Sequence, residues 1–198
     1  MQSGIQLPLP NAPKPPAFIS FCADINPQTT EILLGNVSAL IGQGFREVHL
    51  LLSTPGGSVQ HGITMYNLLR GMPIDLITHN TGNVDSIGTV VFLAGKVRRA
   101  CPQATFMQHG VACGFPGPAQ LFEKNLQETL ASVQADQGRI ADIYKERAGI
   151  EKADAEKLFL GETRMTAEDA KTRGLVHEIR DVSSPNGSPV LQLVFNRQ

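Results

Sequence analysis

Acyl transfer needs a nucleophile, a base within hydrogen-bond reach, a carboxylate that holds the base in one tautomer, and N–H donors for the oxyanion. The chain offers a candidate for each: Ser86 in TGNVDSIGTV, His109 in ATFMQHG, an acidic residue further on, and glycine-bearing turns at 55–58 and 82–88. Both turns lead from a strand-like run into a helical one. Their backbone N–H groups therefore lie at helix N-termini, where orphan donors and the helix dipole favour negative charge. Residue types alone do not decide the matter. A serine opening an apolar helix is more often an N-cap than a nucleophile, and a lone histidine ending a strand is usually structural. A phosphate cradle fits less well, since neither GxGxxG nor GxxxxGK followed by Ser or Thr occurs.

The elements that must position these groups alternate in type. Order begins near AFISFCAD; Asn26-Pro27 then offers an N-cap and a first-turn proline, and Ile32, Leu33, Val37, Leu40 and Ile41 keep helical spacing up to Gly42 and Gly44. EVHLLLS (47–53) predicts a buried strand ending at TPGGS, after which Val59, Ile63, Tyr66 and Leu69 resume a helical period. The order recurs with IDLITHN as strand, TGNVD as turn and SIGTVVFLAG as a helix too apolar to have a solvated face. ATFMQH (104–109) predicts a third strand and GVACGFPGP a glycine-rich connection. Phe122, Leu126, Leu130, Val133, Ile140 and Ile143 then mark a helix too long to lie flat on a small domain. Thr166 with Asp169 forms a capping box, and Gly174 stops that helix before the strand LVHEIRD. Strands alternating with helices imply an α/β fold with a largely parallel sheet. The tail SSPNGSPVLQLVFNRQ adds a turn-rich hinge and a short strand-like run.

With 198 residues, 41% of them hydrophobic, one domain with one core is expected. The 17 Lys and Arg against 18 Asp and Glu leave no basic stripe for nucleic acid or an anionic membrane. Cys22, Cys101 and Cys113 are odd in number and far apart, which suits a reducing compartment, argues against a structural metal, and leaves them as buried small hydrophobes. His49 and His177 read as ordinary strand residues, and His61 and His79 as residues bordering helix and turn segments. MQSGIQLPLPNAPKPPAF lacks the layout of a signal peptide, and no run approaches the roughly 20 apolar residues that span a bilayer. A soluble, cytoplasmic protein is expected.

Taken in order, STPGGSVQHGITMYNLL, TGNVDSIGTVVFLAG, ATFMQHG and ETRMTAEDAKTRGLVHEI resemble the motifs of the proteolytic subunit of the Clp protease, a member of the Clp/crotonase-like superfamily. The resemblance covers roughly 47–181. It implies a ββα superhelix with a protruding handle helix, laid out as a Pro-rich arm (1–16), an α/β domain (17–182, handle about 110–148) and a tail (183–198). It also implies a serine endopeptidase that needs no cofactor or metal and assembles into rings, as stacked heptamers, around a chamber for peptides or unfolded proteins. By position, Ser86 matches the family nucleophile, His109 the base, and Gly57 and Ile87 the residues whose amides form the oxyanion hole. Glu162 stands near the place of the family aspartate, one methylene longer. Asp85 stands where the family has a small residue, and an ionised carboxylate there would oppose an oxyanion. The N-terminal segment has no counterpart of the family loop that engages the ring ATPase, which puts dependence on such an unfoldase in question.

Three other readings remain open. A ring subunit disabled by Asp85 and Glu162 would assemble without turning over peptide. A crotonase-like acyl-CoA enzyme would use the paired amides and need no serine. A serine-lysine peptidase would take Lys96 as base, although LAGKVRR places that lysine at the solvated end of a helix.

Overall fold

The structure is a computed structural model and describes residues 14–114 and 122–195. The expected Pro-rich arm falls largely outside them, as does part of the glycine-rich connection after His109. Order starts at β1 (Ala17–Cys22), and Asn26 caps α1 (Pro27–Gly42) by accepting from the Thr29 N–H while Thr29 returns the bond. There follow β2 (Glu47–Thr54), α2 (Val59–Gly71), β3 (Asp75–Asp85), α3 (Gly88–Phe92), β4 (Val97–Ala100) and β5 (Thr105–Met107). The chain continues with α4 (Glu123–Ala148), α5 (Lys152–Leu160), β6 (Arg164–Thr166), α6 (Ala167–Thr172), β7 (Glu178–Ile179) and β8 (Val190–Gln192).

The sheet runs β6-β5-β3-β2-β1-β8, with β4 and β7 branching from β3. Every ladder is parallel except β5 against β6. The expected α/β class with a largely parallel sheet therefore holds. β8 completes the sheet beside β1, so the tail packs on its own chain. One face of β1 and β2 carries Ile19, Phe21, Leu50 and Leu52, all buried against Leu33 and Val37 of α1 and Met65 and Leu69 of α2. Full burial of side chains of this size stabilises the fold by about 1.5–3 kcal/mol each.

β3 departs from the expectation and matters most for the site. TGNVD is not a turn: the strand continues through it to Asp85, pairing with β4 over its first half and with β5 over its second. Two partner strands taking successive halves of one strand explain its length, and the helix after it shrinks to α3. VRRA forms β4, and KADAEKLFL forms α5; neither strand nor helix was expected there. α4 spans 26 residues, about 39 Å at the α-helical rise. Its buried side chains are Ile140, Ala141, Ile143 and Tyr144, all in its second half, whereas Phe122 at its cap, Leu126 and Leu130 are at least half exposed.

Several side chains also sit otherwise than expected. Cys22 and Cys113 are exposed and Cys101 is half-buried; Cys22 follows the inward Phe21, so strand alternation turns it out. His79 lies inside β3, where its Nε2 bonds His49 Nδ1 at 2.9 Å, while His49 Nε2 bonds Glu47 Oε1 at 2.8 Å. The Glu47 carboxylate can only accept, so each histidine carries its proton on Nε2 and His79 Nδ1 is left as a buried lone pair without a partner. Burial, aided by His49, Arg99 and Arg180, pushes the His79 pKa down to about 3. Arg98, also buried, donates to the carbonyls of Arg147, Gly174 and Leu175 and ties the ends of α4 and α6 to the sheet.

Candidate active site

The turn at 55–58 needs glycine. Gly57 has φ 144°, and a Cβ there would stand 2.2 Å from the Ile25 carbonyl oxygen. Ile25 brackets this turn, its N–H donating to the Gly56 carbonyl and its carbonyl accepting from the Ser58 N–H. This pairing orients the Gly57 peptide, and the Gly57 N–H has no protein acceptor among the described residues.

Ser86 occupies the junction of β3 and α3 with φ 54°, a left-handed conformation that costs a non-glycine residue about 1–3 kcal/mol. Its N–H donates to the Met107 carbonyl at 2.7 Å, and its carbonyl accepts from Thr89 N–H. Ser86 is thus not an N-cap: its backbone, rather than its hydroxyl, serves the turn. Ile87 follows at the head of α3, and its N–H also has no protein acceptor among the described residues.

A cavity of about 230 Å³ is lined by Gly57, Ser86, Ile87 and His109 together. Four residues drawn from three separate stretches of sequence thus converge on one space. Its remaining wall is mostly apolar, with Val59, Val111, Ile140 and Phe159. Asp85 does not line it; the carboxylate of Asp85 accepts from Asn83 Nδ2 at 3.0 Å instead. The expected opposition of Asp85 to an oxyanion is therefore not built into the wall of the cavity.

His109 Nδ1 donates to the Gly110 carbonyl at 2.7 Å, which leaves Nε2 as the basic nitrogen. Ser86 Oγ and the His109 ring are not hydrogen-bonded to each other. Glu162 lies outside the main cavity and shares a second space of about 190 Å³ with His109, Met107 and Arg164. It is exposed, and its φ of 46° makes it, with Ser86, one of two non-glycine residues at positive φ among those described. Lys96 pairs with Asp75 on the surface after α3 and takes no part in either cavity, which agrees with its expected place at the solvated end of the helix and leaves a serine-lysine dyad without support.

Sequence reasoning missed Gln108. It is buried, lines the main cavity, and donates through Nε2 to Thr89 Oγ at 2.7 Å. The available signal was its place beside His109, directly after the apolar pair Phe106-Met107. Among the described residues, no group of three or more His, Cys, Asp or Glu side chains could hold a metal ion. No described helix is long and apolar enough to cross a membrane.

A family model described as Clp protease matches residues 17–183. Among solved structures, a ClpP1 mutant from Listeria monocytogenes aligns with a TM-score of 0.73 at 20% sequence identity, covering 83% of this chain and 91% of that chain. The likeness to that structure establishes the fold.

Proposed function

This chain belongs to the Clp protease family, and from that membership and the site geometry we propose that it is a serine endopeptidase acting by acyl-enzyme chemistry. The observation that carries the reading is the single cavity holding Ser86, His109, Gly57 and Ile87. In the proposed reaction His109 Nε2 takes the proton as Ser86 Oγ attacks the scissile carbonyl. The oxyanion accepts from the Gly57 and Ile87 N–H groups, whose lack of other acceptors leaves them free to donate. The imidazolium then protonates the leaving amine, and water activated by the same nitrogen hydrolyses the ester.

Glu162 is the carboxylate we assign to the imidazolium. It reaches His109 only if it displaces the Gly110 carbonyl from Nδ1, across the space the two side chains share. Hydrogen bonds of this kind often tighten only when substrate is bound. The exposed stripe of Phe122, Leu126 and Leu130 supports self-association, and we propose that the chain works in stacked rings that enclose the site. The test is turnover of a fluorogenic peptide by wild type, with loss on Ser86→Ala and His109→Ala.

A second reading has its own support. With Nδ1 on a carbonyl and no Ser86–His109 bond, the chain would serve as a ring subunit without turnover. Assembly with no peptide cleavage, and no labelling of Ser86, would decide for it.

A further inference from the structure

We propose that Tyr144, Gln108 and Thr89 form a buried hydrogen-bond relay that positions the two halves of the site, acting on the reaction as positioning residues without touching substrate. The inference rests on the reading of Ser86 and His109 as nucleophile and base. Tyr144, at the docked end of α4, donates to Gln108 Oε1; Gln108 Nε2 donates to Thr89 Oγ at 2.7 Å; Thr89 Oγ donates to the Val84 carbonyl at 3.4 Å. All three side chains are at least 98% buried.

The direction of the relay is determined by chemistry. The Val84 carbonyl can only accept, so Thr89 must give it a proton and take one from Gln108 Nε2, which leaves Oε1 to accept from Tyr144. Burial pushes the Tyr144 phenol well above its usual range, so it remains a donor at any working pH. No member can be rotated without stranding a buried polar group, which costs more than the bond itself contributes.

The relay grips the site from inside. Gln108 is bonded in sequence to His109, and its own N–H donates to the Thr163 carbonyl, next to Glu162. Thr89 lies in the first turn of α3, its N–H donating to the Ser86 carbonyl, and its hydroxyl ends on the strand residue two before Ser86. Phe159 meets the edge of the Tyr144 ring and shares the cavity wall with Gln108, so an aliphatic residue at 108 would suit burial alone. The polar connection instead specifies where the base stands relative to the nucleophile.

The test uses the full chain with Tyr144→Phe, Gln108→Met and both together. Tyr144→Phe keeps the ring and its edge contact with Phe159. It is expected to lower kcat by about tenfold with KM within about twofold, the loss of one buried hydrogen bond felt only in the aligned state. In the Gln108→Met background the same change is expected to add nothing, because the two share one relay. A folded Tyr144→Phe with kcat unchanged, or two losses that simply multiply, would overturn the proposal. Hydrogen exchange supplies a readout that needs no turnover: amides at 84–92 and 105–110 are expected to exchange faster in Tyr144→Phe while those of α1 do not. Unchanged exchange overturns the relay even in a wild type that cleaves nothing. Faster exchange in an inactive wild type supports the relay and overturns the peptidase reading instead.

Discussion

A side chain on Gly56 would stand 2.8 Å from the Cβ of Ser86, so the nucleophile candidate at the β3–α3 junction is packed against the turn that carries Gly57, one of its two oxyanion donors. Such proximity requires the absence of a Cβ, and the φ of 94° at Gly56 requires it again.

Gly56→Ala is therefore expected to cost about 2–4 kcal/mol, from the left-handed backbone and the contact together. Peptide turnover should fall further than this loss of stability accounts for, since Ser86 must shift. A urea midpoint within error of wild type would show that the turn and the β3–α3 junction are not packed this closely.

The strain at Ser86 leads to a trade of stability against activity. Ser86→Gly is expected to raise stability by about 1 kcal/mol while abolishing turnover, because glycine adopts the positive φ without cost. Ser86→Ala, which keeps the Cβ, should abolish turnover with no such gain. Denaturant unfolding of the three proteins measures the difference directly.

The buried histidine pair makes stability depend on pH. His79 has a folded pKa of about 3 against an ordinary value of 6.5, so below pH 6.5 the unfolded chain binds the extra proton. Stability contributed by neutral His79 is present above pH 6.5 and is lost as pH falls towards 3, by at most about 1.4 kcal/mol per pH unit. His49 with Glu47 on β2, Arg99 on β4, and Arg180 and Glu178 around β7 are the charged or titratable groups around it. Unfolding free energies between pH 6.5 and 5, above most carboxylate titration, should fall for wild type and be flatter for His79→Gln. Parallel curves would remove His79 as the cause.

Glu162→Gln separates two ways of holding the His109 ring. With Glu162 stabilising the imidazolium, kcat is expected to fall roughly 10²-fold or more, by analogy with loss of the triad carboxylate. An unchanged kcat would assign that task to the Gly110 carbonyl, which holds Nδ1 in this structure.

What was legible in the sequence was local punctuation. Asn26-Pro27, the PGG turn and the Thr166–Asp169 box each act within a few residues, and each stands where the residue types demanded. The path from Val84 to Ser86 was not legible in this way: TGNVD carries turn residues, yet pairing with Thr105–Met107 extends it as strand. The partner that overrides local propensity lies some twenty residues away. For the same reason Ser86 reads locally as a helix cap, although its positive φ and its bond to the Met107 carbonyl make it a junction. His79 looked like a border residue because the strand containing it was expected to stop early. Gln108 gave a sign of its importance only by its place beside His109, and its partners Thr89 and Tyr144 lie on two separate helices.

The central claim is that Ser86 is a nucleophile activated by His109, and covalent labelling tests it without any assumption about substrate. Purified wild type treated with a fluorophosphonate is expected to carry the adduct on Ser86, located by mass mapping of the peptide containing it, and Ser86→Ala is expected to carry none. No adduct on wild type, or equal labelling of Ser86→Ala, would contradict the account.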